Sequence, residues 1–384
     1  MIVLLTALAW GQEPPSAEVR QVEAPPRVRV EGFVKPVFSA LVRTASLPEE
    51  QLDIGLTSSR AGVILDGEAL PHWQYRVFFV VGSPTFEALT AARAVDSDND
   101  GVVDQVGTRS RGALGDIVRE TSLSWVPSSG FRIRAGRMPV PFTSAAQSAD
   151  VALLFSERAG PNELFLADDD LGALAEARTR GGTVLAKAGV FNGTGTGSRG
   201  GQRGVLALAR IDLQPLGDFA FDETNPARTE PRLGLGASVI WHPYRGFDGV
   251  GFPRVQVNDL RASVSLRAGV AGFTLALEGL HRQQTDNLTN RPVVASGAYA
   301  QAGWRLPVGL EPIGRVGWSA EDRAFDPRVT VWTEGGFNLY PALGHPDPAR
   351  RNDMRLTIAY QGEHRLTEGE SAHAGVLSGV LRFR

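Results

Sequence analysis

Asn258–Val270 reads NDLRASVSLRAGV. Leu260, Ala262, Val264, Leu266 and Ala268 alternate there with Arg261, Ser263, Ser265 and Arg267. A period of two puts the first set on one side of an extended strand and the second set on the other. A helix would need apolar residues three and four apart. The stretch around Arg355–Gln361 repeats the pattern, with Met354, Leu356, Ile358 and Tyr360 set against Arg355, Thr357, Ala359 and Gln361. Val205–Leu213 and Phe273–Leu277 follow it as well.

Extended along the chain, the alternation predicts about sixteen strands, at 27–42, 58–66, 73–82, 117–126, 131–138, 170–178, 183–191, 204–214, 232–241, 258–270, 273–282, 296–306, 310–320, 329–340, 353–361 and 374–384. The connectors alternate in length. Tight turns rich in Gly or Pro stand near Pro127–Gly130, Thr179–Gly182, Val270–Gly272 and Pro307–Gly309. Between them lie the longer stretches 43–57, 83–116, 139–169, 192–203, 242–257, 283–295, 321–328 and 362–373. Only 215–231 and 341–352 are long where the rule wants a short turn. Short turns at one end and long loops at the other are the pattern of an outer-membrane barrel. In lipid every backbone N–H and C=O needs a partner within the protein, so such a sheet must close. The reading is therefore all-β: a transmembrane antiparallel β-barrel over 27–384. Sixteen strands enclose a lumen wide enough for water. A soluble β-sandwich would show short loops at both ends.

Composition agrees. The chain has 384 residues, 42% of them hydrophobic, no cysteine, and a formal net charge of -3. Zero cysteine removes disulfides, thiolate metal sites and cysteine nucleophiles together. The net charge argues against a nucleic-acid partner. Met1–Ala9 (MIVLLTALA) is a short apolar run ending in small residues, followed by the Pro-rich QEPPSAEVRQVEAPP at 12–26. We expect a signal peptide over 1–11 and a periplasmic linker over 12–26. Export to a Gram-negative outer membrane follows, with lipid as the surrounding partner.

With the apolar face on lipid, the polar face lines the pore. A charge on the lipid face costs ~2–4 kcal/mol at the midplane, so strand charges should point inward. Strand parity places Arg29, Lys35, Arg60, Arg76, Arg132, Arg134, Arg178, Lys187, Arg210, Arg261, Arg267, Arg305, Arg315, Arg355 and Arg382 inside. It places Glu31, Asp66, Glu120, Glu176, Asp212, Glu278, Glu311 and Glu334 there too, fifteen bases against eight acids. A basic, low-dielectric lumen favours anions. Guanidinium forks suit the oxygens of phosphate and carboxylate. The expected function is passive diffusion of small hydrophilic solutes, anionic or neutral, with a mild anion preference.

Several segments together resemble the phosphate-selective porin O and P family. They are Ser59–Gly82 (SRAGVILDGEALPHWQYRVFFVVG), Glu120–Phe142 (ETSLSWVPSSGFRIRAGRMPVPF), Ala152–Phe165 (ALLFSERAGPNELF), Asp169–Gly193 (DDLGALAEARTRGGTVLAKAGVFNG), Glu334–Tyr340 and the terminal strand with Arg382–Phe383. The resemblance covers most of 27–384. It implies a sixteen-stranded barrel, a homotrimer, and a third loop, here about 139–169, folded inward to narrow the pore. Glu157 and Arg158 occupy that loop's E-R motif, and Arg132, Arg134 and Arg137 precede it on the pore wall. Phosphate-specific members are rich in lysine, whereas Lys35 and Lys187 are the only lysines here, and Met138 stands where the family carries a lysine. The resemblance thus implies the fold, and phosphate or other oxyanion transport only as an extension of it.

One loop carries a separate signal. Asp96, Asp98, Asp100, Gly101, Val102 and Asp104 lie in AVDSDNDGVVDQ. Alternating carboxylates, a turn glycine and a backbone carbonyl from Val102 make an oxygen shell of the kind calcium takes. Gly107 stands where a full EF-hand has its closing Glu. We expect a structural Ca2+ in 96–104, against the plainer reading of a solvated acidic loop. No other cofactor is expected. A calcium-stiffened surface loop also supports the alternative of an adhesion or ligand-binding barrel. No enzyme is expected: the six histidines show no H-E-x-x-H spacing, and GTGTGSRGG at 193–201 lacks the Lys and helix of a phosphate loop.

Overall fold

The structure, a computed structural model, describes residues 28–44, 51–56, 60–82, 94–95, 105–106, 118–167, 169–193, 203–217, 223, 230–246, 255–287, 292–322, 328–341 and 353–383. The expected signal peptide and linker lie outside them.

Sixteen antiparallel strands close into a barrel. In chain order they are β1 (Val28–Lys35 and Val37–Thr44, interrupted at Pro36), β2 (Gln51–Leu56 and Arg60–Leu70), β3 (Trp73–Gly82), β4 (Val118–Ser128), β5 (Phe131–Pro139), β6 (Asp169–Arg178), β7 (Val184–Phe191) and β8 (Arg203–Gly204 and Leu206–Leu213). There follow β9 (Arg232–Gly246), β10 (Val255–Val270), β11 (Phe273–Asp286), β12 (Pro292–Trp304), β13 (Leu310–Asp322), β14 (Arg328–Leu339), β15 (Met354–Arg365) and β16 (Glu370–Phe383). Each strand pairs with its neighbours in sequence. The seam closes where β16 pairs with β1, Val34 facing Leu381 and Val37 facing Ser378. Pro36 lacks an N–H, so it falls at the break, where its carbonyl still accepts from Gly379 N.

Alternation decides which side faces out. In β10 Leu260 and Val264 are exposed while Arg261, Ser263, Ser265 and Arg267 are buried. Val316 and Trp318 on β13, and Leu356, Ile358 and Tyr360 on β15, are exposed in the same way. Exposed apolar residues thus form the outer surface all round the barrel, and the polar partners point in. The tight turns match expectation. Ala271 and Gly272, at φ 49° and 83°, join β10 to β11 in the doubly left-handed geometry of a two-residue hairpin.

Several predicted loops are shorter than expected. Gln51–Leu56 pairs with β1, although 43–57 reads as a connector. β9, β10, β11, β12, β15 and β16 each run about three to five residues past the predicted ends, and only Leu366–Gly369 turns within 362–373. On β11, β15 and β16 the added residues (Gln283–Asp286, Gly362–Arg365 and Glu370–His373) are largely polar on both faces, so the ladder continues while the alternation fades.

The stretch between β5 and β6 holds two short 3-10 turns, Ala145–Gln147 and Asp150–Ala152, and one helical turn, α1 (Gly160–Phe165), opened by Pro161. Phe142, Phe155 and Phe165 within it are wholly buried. Met138, Val140, Phe142 and Phe165 cluster with Leu174, Phe191, Leu206, Leu208, Ile240 and Leu280. Leu154 and Phe155 cluster with Ile313 and Ala359. The inner face is therefore not polar throughout. Each fully buried Phe or Leu contributes roughly 1.5–3 kcal/mol.

Candidate functional site: the charged inner wall

The inner wall divides into two parts. Over β8–β16 and the middle of β1, basic side chains hold the backbone of 140–167. Arg210 Nη1 donates to Phe142 O at 2.7 Å, and Ser238 Oγ to the same oxygen at 2.6 Å. Arg261 Nη1 donates to Phe165 O and Leu166 O, both at 2.9 Å. Arg315 donates to Glu157 O at 3.0 Å and Arg158 O at 3.3 Å, with its guanidinium 4.4 Å from the Phe155 ring centre. Asn338 donates to Leu154 O at 3.0 Å. Arg355 donates to Leu153 O, Lys35 to Ser156 O, and Arg382 to Val151 O. Arg158 turns back on its own segment, donating to Ala145 O and Ser148 O at 3.2 and 3.3 Å.

Acids serve the same segment. Glu278 accepts from Ser144 N at 2.6 Å, from Tyr299 Oη at 2.9 Å and from Ser263 Oγ at 3.0 Å. Glu223 accepts from Leu154 N at 2.9 Å and donates its own N–H to Ala152 O at 2.9 Å. Most of the clamping guanidiniums are also neutralised. Arg210 pairs with Asp212 at 2.6 Å, Arg315 with Glu334 at 2.6 Å, and both Arg261 and Arg282 with Asp259 at 2.8 Å. Arg305 stacks 3.6 Å over the Tyr340 ring, whose hydroxyl donates to Glu311 at 2.6 Å. Arg267 is buried on the same face.

Over β1–β7 the charges form an open chain of ion pairs instead. Arg29 meets Asp66 at 3.4 Å, Asp66 meets Arg76 at 3.6 Å, and Arg76 meets Glu120 at 3.2 Å. Arg134 bridges Glu120 at 3.3 Å and Glu176 at 3.7 Å, and Glu176 also meets Arg132 at 3.5 Å and Lys187 at 3.8 Å. The side chains of Arg29, Arg76 and Arg132 are 69%, 41% and 42% exposed. Arg60 registers with Lys35, and Arg178 shares the face of Glu176. Lys187 also reaches Gln147 of the segment.

Three outcomes differ from the sequence reading. Arg137 is opposite Leu171, which is 54% exposed, so it stands on the outer face and not on the pore wall. Directly paired residues of an antiparallel ladder share a face, and Phe131 and Ile133 of the same parity are exposed too. Many of the expected anion-binding arginines, notably Arg210, Arg261, Arg315 and Arg355, spend their donors on loop carbonyls. Asp259, Arg282 and Glu223 belong to the inner network and were missed. Asp259 was legible from the parity of its strand, while Glu223 lies in a connector with no period to read.

Asp96, Asp98, Asp100, Val102 and Asp104 lie outside the described residues. Ala94 and Val95 pair with Val106 and Gln105, which brings the two ends of that loop together. Among the described residues no cluster of three or more His, Cys, Asp or Glu converges on a metal position.

No known protein family and no curated protein matches the chain. Solved structures do. OmpT with its loop L8 deleted, an outer membrane protein of Vibrio cholerae, superposes with a TM-score of 0.59 at 11% identity, over 94% of this chain and 100% of that one. The anion-selective porin from Comamonas acidovorans gives 0.57 at 12% identity, over 93% and 100%. The outer membrane channel DcaP of Acinetobacter baumannii gives 0.56 at 13% identity, over 94% and 99%. At these identities the likeness is one of fold: this chain has the fold of outer-membrane porins.

Proposed function

We propose that this chain is a porin of the Gram-negative outer membrane, a passive channel for small hydrophilic solutes with a mild preference for anions. The reading rests on one observation. The segment 140–167 is tied to the inner face of β7–β16 and the middle of β1, and, apart from the rim group around Arg365, the more exposed inner charges collect on β1–β6. We infer that the segment occupies the lumen and that solutes pass between it and that strip. Arg29, Arg60, Arg76, Arg132, Arg134 and Arg178 then set the selectivity, opposed by Glu31, Asp66, Glu120 and Glu176. Bases outnumber acids there by two, six against four, so the preference is slight. Arg29, Arg76, Arg132 and Arg134 each have an acid beside them, so a passing anion is held only transiently there, as conduction requires.

Phosphate or another oxyanion as the favoured solute, membership of the phosphate-selective porin family, and a homotrimeric assembly are parts of the same proposal. The fold likeness to a trimer form of OmpT supports the last. Planar-bilayer recording tests the whole. Stepwise conductance with a reversal potential displaced toward anions is expected, and cation selectivity or silence from a folded barrel overturns it. Competition by phosphate against chloride current separates an oxyanion channel from a general one.

A further inference from the structure

At the loop ends of β14, β15 and β16 the outer face carries a group that transport does not use. Tyr360, His364 and His373 stand together there. Tyr360 Oη and His373 Nδ1 are in hydrogen-bond contact with their rings stacked, and the His364 and His373 rings lie 5.3 Å apart at 67°. Register explains the meeting. His373 is opposite Gly362 and His364 is opposite Ser371, so the two histidines are diagonal neighbours on one face.

Gly362 has no side chain to hold these groups apart. A Cβ built there would stand 2.9 Å from Tyr360 Oη, 2.9 Å from Thr333 Oγ1 and 3.4 Å from His364 Nε2. One nitrogen and two oxygens thus close in over Gly362, with His373 Nδ1 beside one of the oxygens. His364 Nδ1 lies 3.0 Å from Ser371 Oγ. With the proton on Nδ1 it donates to that hydroxyl, which leaves the Nε2 lone pair available to a metal ion. A partner on the far ring nitrogen is how ligating histidines are oriented.

We propose that this cluster is a binding site for a divalent transition-metal ion, zinc or copper, with His364 Nε2 and His373 Nδ1 as nitrogen ligands and Tyr360 Oη as the third donor. Imidazole suits those ions, and a two-histidine set completed by oxygen and water fits their coordination. Bonds of ~2.0–2.2 Å would draw His364 Nε2 and Tyr360 Oη in toward His373 Nδ1. The adjacent rim is acid-rich: Arg365 pairs with Glu363, Glu368 and Glu370, and Arg328 with Glu368. A bound ion ties β15 to β16 at the edge where His373 pairs with Val42 of β1.

The test uses the full chain, without a purification tag, refolded in detergent and titrated with Cu2+. One ion per chain with a two-nitrogen paramagnetic-resonance pattern is expected. His364→Ala and His373→Ala should each weaken binding by at least the roughly tenfold that losing even an orienting partner costs. Gly362→Ala should weaken binding with every donor still present, because its Cβ would press on Tyr360 Oη and His364 Nε2 and drive them out of position. Heat-modifiable gel migration reports folding of each variant. Should a variant fail to fold, diethylpyrocarbonate footprinting of the unaltered protein decides: Zn2+ should protect His364 and His373 but not His72 or His281. Unchanged Cu2+ binding in the double variant, fewer than two nitrogens, or no protection overturns the assignment.

Discussion

The guanidinium of Arg210 grips Asp212 on its own strand and, through Nη1, the carbonyl of Phe142 on the segment that enters between β5 and β6. One side chain thus joins wall to loop while its charge is cancelled at the wall. Repeated by Arg261 and Arg315, this turns a ring of arginines into a scaffold for the segment instead of a filter.

Arg210→Ala should therefore loosen the segment and destabilise the barrel. It leaves Asp212 buried with its principal partner gone, at a cost of about 3–5 kcal/mol. Chemical unfolding of the refolded barrel in detergent checks the stability. Single-channel recording should show larger or noisier steps at the same time.

Glu278 makes a second attachment through Ser144 N, Ser263 and Tyr299. Glu278→Ala leaves three donors without their carboxylate, at ~1–3 kcal/mol for each that stays dry. We expect faster protease cleavage within 140–167 than in the unaltered protein, with the barrel itself intact on a heat-modifiability gel. Equal cleavage rates would mean that the attachment holds nothing.

Selectivity should move only with the exposed strip. Arg132→Gln and Arg134→Gln should shift the reversal potential toward cations, and Glu176→Gln should shift it toward anions. Arg355→Gln, whose charge lies behind the segment at Leu153, should leave the reversal potential in place. A shift in Arg355→Gln as large as that in Arg132→Gln would contradict the division of the wall.

Val264 is 62% exposed on the outer face of β10. Val264→Arg should cost ~2–4 kcal/mol if that face lies at mid-membrane. Refolding into lipid vesicles and unfolding by guanidinium would measure it, and a neutral result would mean that the face does not meet hydrocarbon.

The calcium expectation at Asp96, Asp98, Asp100, Val102 and Asp104 is checked by calorimetry on the full chain. Heat at millimolar Ca2+ that disappears in Asp98→Asn/Asp100→Asn supports it, and no heat removes it.

Much of the barrel was legible residue by residue. Trp73–Gly82 was read with both ends in place, and β5, β6 and β7 within a residue at each end. The ends of β9, β11 and β16 were not, because outside lipid nothing forces the two faces to differ. For Arg137 motif likeness and parity disagree: the likeness implies the pore wall, while parity sets it beside Ile133 on the outer face, where the ladder holds it. The metal cluster could not be read at all: Tyr360, Gly362, His364 and His373 form a site only once the β15–β16 register is known.

What the sequence determined alone is the two-sidedness of each strand. A strand's side chains alternate with a fixed period, and hydrocarbon and water select opposite chemistry at odd and even positions, so local order suffices to give strands, faces and closure. What only the tertiary structure decided is the use of the inner charges. Whether Arg210 or Arg315 meets a solute or a carbonyl depends on where 140–167 lies, and that segment is separated from Arg315 by some 150 residues of chain. No periodicity encodes such a contact, since it arises only when the closed barrel brings its far wall and its loop together.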